Sequence, residues 1–277
     1  LEAVRFREPE AGITLTGGAL RLATALRLDL PSLTWAPTRF EAGVAALGLG
    51  EVDLDLSALR AEFVLAGSAD APVLEARIDG AGLDLAASAA RLDDAWSVTD
   101  GRGRIDLGPG DFAPALLRPF VPELELRDGT LELAVPLWPP GDGRAVAADL
   151  SGLDATLAGT RLEGLGVRAE LHLDGGNARL PLVEGSLARV ETGALQAEDI
   201  AFDAAGHLPG WHGAAAARGE LPGALHLDAV ELRAGRLHAD AGHLDTLAVQ
   251  GSARFDGRVL RADGELSAPS LMATVPA

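Results

Sequence analysis

The stretch Gly129-Thr130-Leu131-Glu132-Leu133-Ala134-Val135 sets Leu131, Leu133 and Val135 at every second position, with hydrophilic or small residues between them. Side chains on a strand point to opposite faces with period two, so this run is a ribbon with one aliphatic and one wet surface. The pattern recurs along the chain, as in Glu51-Val52-Asp53-Leu54-Asp55-Leu56, Glu123-Leu124-Glu125-Leu126-Arg127 and Arg168-Ala169-Glu170-Leu171-His172-Leu173-Asp174. A protein made of such ribbons must either cover or use one continuous apolar face.

Punctuation between the runs is rich in Asp-Gly: Asp79-Gly80, Asp100-Gly101, Asp128-Gly129, Asp142-Gly143, Asp174-Gly175-Gly176, Asp256-Gly257 and Asp263-Gly264. Asp and Gly tolerate the backbone angles of tight hairpin turns, so neighbouring strands are expected to be antiparallel. The pattern predicts strands over 19–30, 51–57, 60–66, 73–79, 82–87, 123–127, 129–137, 145–150, 166–174, 194–204, 223–234, 246–255 and 257–267. Two places break the rhythm, Asp111 to Arg118 and Trp211 to Arg218, and each fits a short helix or connector. No motif repeats at a fixed period, which weighs against propellers and leucine-rich solenoids.

Roughly twenty strands in one meander exceed the ~10 that an open twisted sheet carries before it curls or splits. The expected fold is therefore mainly β, a long antiparallel meander curled into an elongated groove with one or two short helices. Residues 1–277 are expected to form a single elongated segment of a larger protein, with a sub-boundary near 108–122. The greasy phase of the clearest runs nominates Val52, Leu54, Leu56, Leu83, Leu85, Leu124, Leu126, Leu131, Leu133, Val135, Leu171, Leu173, Leu225, Leu227 and Leu232 as the groove floor. In a two-layer sandwich the same residues would be closed core, so their exposure decides between the two.

Composition narrows the function. Forty-one acidic against 23 basic residues give a formal charge of −18, and every cation apart from histidine is an arginine. Such a field repels polyphosphates and argues against nucleic acid as a partner. Aromatics are 4% of residues and Tyr is absent, unlike transmembrane barrels with their Tyr and Trp girdles. With no Cys there is no thiolate metal site or Cys nucleophile.

No signature of catalysis emerges. Gly48-Leu49-Gly50 and Gly101-Arg102-Gly103 lack the strand-to-helix context of a dinucleotide loop, and paired carboxylates such as Asp53/Asp55 and Glu123/Glu125 fall on the wet face. His207 with His212, and His238 with Asp240 and His243, are better read as surface histidines than as metal ligands. The expectation is a protein that is no enzyme and holds neither cofactor nor metal.

Several segments resemble the YdbH group of AsmA-like envelope proteins. They are Leu117-Arg118-Pro119-Phe120, the run Leu126 to Leu133 followed by Val135-Pro136-Leu137, Ala148 to Leu153, Leu165 to Leu173, and Gly193 to Phe202. In that group a short helix precedes a Gly-x-Leu-x-Leu-x-x-Pro-Leu strand and a run of antiparallel strands. The resemblance implies a periplasmic bridge, anchored to the inner membrane, whose β-groove guides phospholipid acyl chains between inner and outer membrane. It implies contact with both membranes through segments not in this chain, and an outer-membrane lipoprotein or other protein partner. Other readings of the same features are an envelope assembly factor that templates outer-membrane strands at an exposed sheet edge, and a closed-core stalk or adhesin.

Overall fold

The computed structural model describes residues 6–8, 13–22, 28–29, 34–35, 38–49, 52–55, 57–68, 70–92, 95–109, 113–114, 123–136, 144–173, 178–211, 223–239, 242–256, 260–267 and 270–273. Strands dominate them. The first half holds β1 (Phe6–Glu8), β2 (Ile13–Leu22), β3 (Leu28–Asp29), β4 (Thr34–Trp35), β5 (Thr38–Leu49), β6 (Val52–Asp55), β7 (Arg60–Gly67), β8 (Pro72–Gly80), β9 (Leu83–Leu92) and β10 (Ala95–Asp106). The second half holds β11 (Leu124–Val135), β12 (Arg144–Leu157), β13 (Thr160–Leu173), β14 (Ala178–Glu191), β15 (Leu195–Leu208), β16 (Leu225–Ala239), β17 (Gly242–Phe255), β18 (Leu260–Ser267) and β19 (Ser270–Ala273).

Connections are almost all to the next strand. β1 pairs with β2, β2 with β5, and β6 and β7 share one edge of β5. From β7 to β17 every strand pairs antiparallel with its successor, and β18 and β19 share the far edge of β17. β3 and β4 form a separate pair. The result is a 17-stranded sheet. No pairing joins β1 or β2 to β18 or β19 among the described residues, so the meander is an open groove. β10 pairs with β11 directly, so the sheet runs on past the 108–122 connector. Of Asp111 to Arg118 only Ala113 and Pro114 are described, both helical, and of Trp211 to Arg218 only Trp211 is described.

Three Asp-Gly pairs do not make turns. Asp100-Gly101, Asp128-Gly129 and Asp263-Gly264 lie inside β10, β11 and β18, so the segments expected as separate strands 123–127 and 129–137 are one strand with an irregular register at Asp128. Gly264 is there for close approach: it faces Gly251 across the β17–β18 ladder, and a Cβ on it would sit 2.6 Å from the Gln250 carbonyl oxygen. Gly129 has φ 137°, outside the range of side-chain-bearing residues.

Alignment through the ladders exposes a repeat. β13, β15 and β17 are 14 residues each, and position for position they superpose Leu162, Ala197 and Leu244, then Glu163, Glu198 and Asp245. Next come the left-handed residues Gly164 (φ 65°), Asp199 (φ 55°) and Thr246 (φ 66°), then Leu165, Ile200 and Leu247. The intervening β14 and β16 share Leu-x-x-Val-Glu-x-x-x-small-Arg, as Leu180 to Arg189 and Leu227 to Arg236. Units begin at Thr160, Leu195 and Gly242, an uneven spacing that hides them from any fixed-period search.

The left-handed residues line up across the sheet. Ladder pairing is interrupted where Asp199 faces Ala188 on one side and Gly235 on the other, and where Gly235 faces Thr246, while the register on either side is kept. Small neighbours permit the approach: a Cβ on Gly235 would lie 2.9 Å from that of Asp199, and one on Gly164 would lie 3.1 Å from that of Ala188. An irregular residue inserted in both partners leaves pairing intact but resets which parity faces the apolar side. Hence Leu162/Leu165, Leu187/Val190, Ala197/Ile200 and Leu244/Leu247 are spaced by three rather than two.

Candidate functional site

Ladder registers convert the alternating runs into transverse rows along the groove. One runs Ile78, Leu85, Gly103, Leu133, Ala148, Ala169, Val183, Ala204, Val230 and Gly251. A second, two residues away on each strand, runs Ile105, Leu131, Leu150, Val167, Gly185, Phe202, Leu232 and Val249. Phe202 does not obstruct its row, because its ring lies over Gly185 on the next strand. A glycine covered by a cross-strand aromatic keeps a floor flat where a side chain at both positions would build a wall.

This lining is reachable. Among the described residues only Leu173 of the large side chains is fully buried, and most of the row residues are half-buried. The accessible surface is 17231 Å², against about 11,000 Å² for a compact chain of this mass. A clasped sandwich would have hidden these leucines, whereas an open sheet leaves them in reach of a guest. An apolar recess of about 450 Å³ is walled by Ile78, Leu85, Val98, Leu133 and Val135 and floored by Ala76, Ala87, Gly101 and Gly103.

The nominated floor residues divide into four groups. Leu85, Leu133 and Val135 meet at the recess, and Leu131, Leu227 and Leu232 are half-buried in the rows and beside them. Leu124 and Leu126 stand beyond the line of left-handed residues, with Leu126 opposite Ala155, and Leu83 is 9% exposed at the start of β9. Leu173 is sealed with Ala178 and Leu208, and Leu171 and Leu225 pack on that cluster together with Trp211. Val52 and Leu54 lie in β6, but their side chains, and all of Leu56, fall outside the described residues. Sequence reasoning missed the small residues of the recess, although Glu75-Ala76-Arg77-Ile78-Asp79 carries the same alternation with Ala in an apolar slot.

The opposite face is charged. Its central row reads Arg104, Glu132, Asp149, Arg168, Glu184, Asp203, Glu231, Gln250 and Glu265. Arg168 spans two strands, 3.2 Å from Asp149 and 3.7 Å from Glu184. Nearer one end of the strands, Glu163, Arg189, Glu198, Arg236 and Asp245 alternate in sign across β13–β17, with Arg236 3.4 Å from Glu198. Each exposed pair contributes under about 1 kcal/mol, so the rows secure register and solubility more than stability.

No group of three or more potential metal ligands occurs among the described residues. His238 and His243 are cross-strand partners with rings 6.0 Å apart, and the Nδ1 of His207 lies 2.9 Å from Asp228. His212 and Asp240 are outside the described residues. No helix among the described residues is long and apolar enough to cross a membrane. No family model matches the chain, nor does any curated protein or any solved structure.

Proposed function

We propose that the groove is a passive conduit for the acyl chains of phospholipids, in a periplasmic segment of a bridge between the inner and outer membranes of a Gram-negative envelope. The observation that carries this reading is the pair of apolar rows, free of charged residues from Leu85 and Ile105 to Gly251 and Val249, left half-exposed by an unclosed sheet. Moving an acyl chain through water costs about 0.8 kcal/mol per CH₂, so a two-tailed lipid faces tens of kcal/mol. A lining of Leu, Val, Ala and Gly removes much of that barrier and offers no hydrogen bond to fix a tail in place. The envelope location rests on the YdbH-type segments around Gly129 to Leu137 and Leu165 to Leu173.

Mass spectrometry of the gently purified protein is expected to find co-purifying phospholipid. Leu133→Arg sets a cation in the recess and is expected to lower that occupancy at least about tenfold while the β-type circular dichroism is unchanged. Wild-type protein empty of lipid, or a variant as loaded as the wild type, rules the conduit out.

A further inference from the structure

On the wet face, beyond the line of left-handed residues, one row runs Arg161, Glu191, Gln196, His238, His243 and Met272 across β13 to β17 and on to β19. The chain holds six histidines and a single methionine, yet two of those histidines and the methionine occupy adjacent positions on three neighbouring strands. His238 is exposed and His243 half-buried, and their ring centroids lie 6.0 Å apart. Among the described residues neither ring has a hydrogen-bond or ion-pair partner. The row shares its face with Arg189, Glu198, Arg236 and Asp245, each two residues away along its strand.

An ion about 2 Å from a nitrogen of each of two imidazoles sets their centroids roughly 5 to 6.5 Å apart, according to the angle at the metal. The observed spacing falls in that range, so rotation about side-chain bonds brings a nitrogen of each ring to a common ion while the ladder stays as it is. Imidazoles, thiols and carboxylates do not gather in threes among the described residues, so a centre at this place depends on sulfur. Neutral nitrogen with a thioether is a soft donor set, which favours monovalent copper over Zn²⁺, Mg²⁺ or Ca²⁺. We infer that His238, His243 and Met272 form a binding site for monovalent copper, which clips β16, β17 and β19 together at the open edge of the sheet. The local field suits a cation: Glu198, 3.4 Å from Arg236, and Asp245, opposite it, outnumber that arginine, in a chain of formal charge −18. The other cross-strand histidine pair is a poorer host. His207 and His226 stand between Arg179 and Arg254 in register, and Asp228 already engages the Nδ1 of His207. The copper site lies on the face opposite the leucine rows and stands apart from the conduit reading.

The test titrates the full chain with cuprous ion in anaerobic ascorbate against a chromogenic cuprous chelator, and with Zn²⁺ in parallel. The wild type is expected to take a single cuprous ion and to hold it at least about tenfold more tightly than Zn²⁺. His243→Ala is expected to lower the cuprous affinity at least about tenfold, and Met272→Leu to lower it by about the same factor while leaving Zn²⁺ binding as it is. His243 lies on the wet face, so its variant is expected to keep the β-type circular dichroism and the lipid occupancy of the wild type. A chain that takes no cuprous ion, or an affinity unchanged in His243→Ala, overturns the site. Loss of binding in His226→Ala with His243→Ala as competent as wild type puts the ion at the other pair and likewise overturns it. An affinity untouched by Met272→Leu overturns the thioether and with it the choice of copper.

Discussion

Thr246 occupies a left-handed backbone position, φ 66°, that suits Gly and is tolerated by Asn or Asp but strains a β-branched residue. The equivalent positions in the two preceding repeats hold Gly164 and Asp199, residues that adopt this geometry at lower cost. Thr246→Gly is therefore expected to stabilise the protein by about 1 kcal/mol, read as a raised urea midpoint, and Thr246→Val to give no gain. Equal midpoints for Thr246→Gly and wild type would mean that the strain is relieved elsewhere. At this scale the sequence was legible wherever alternation was unbroken, as at Leu131, Leu133 and Val135. It was misleading at Leu173, whose alternation is perfect but whose side chain is sealed by Ala178 and Leu208 from neighbouring strands. Alternation assigns a face and says nothing of what lies above it.

Hairpins, not single strands, are the units of this sheet. β13–β14 and β15–β16 have the same order of aliphatic residue, acid, left-handed residue, aliphatic residue and Leu-x-x-Val-Glu-x-x-x-small-Arg, and among the described residues each makes its main contacts with the strands next to it. Excising residues 195–241 would set β17 beside β14 with Asp245 opposite Arg189 and Thr246 opposite Ala188, the pairings that Glu198 and Asp199 now make. Such a chain is expected to fold cooperatively as a shorter sheet, with β-type circular dichroism and a smaller denaturant slope. Loss of folding would show that the hairpins are not interchangeable. The repeat escaped sequence reading because its left-handed residue differs in each copy and a long connector follows β15. Asp-Gly was an incomplete guide for a related reason: inside β10 and β18 glycine answers the crowding of an adjacent strand, a demand visible only once the strands are paired.

Across the whole molecule, the large exposed surface has a thermodynamic signature. An open sheet of 17231 Å² hides less area on folding than a compact chain of equal mass, and the urea slope is expected to be about a fifth smaller than size alone predicts. A slope at the compact value would show that the leucine rows are covered in solution. The antiparallel meander was readable from periodicity and turn chemistry, since both are local. Its failure to close into a sandwich was not, because the two arrangements bury the same residues and differ only in what faces them.

The line formed by Gly164, Asp199 and Thr246 crosses the strands at one level and so runs parallel to the channel axis. It is placed as a score line is in folded card: the ladder is interrupted at one level in each hairpin, because each copy carries its own left-handed residue. The level of that line is thereby set by a local backbone choice repeated in each hairpin, and adding or removing hairpins changes the length of the sheet while leaving the line in place.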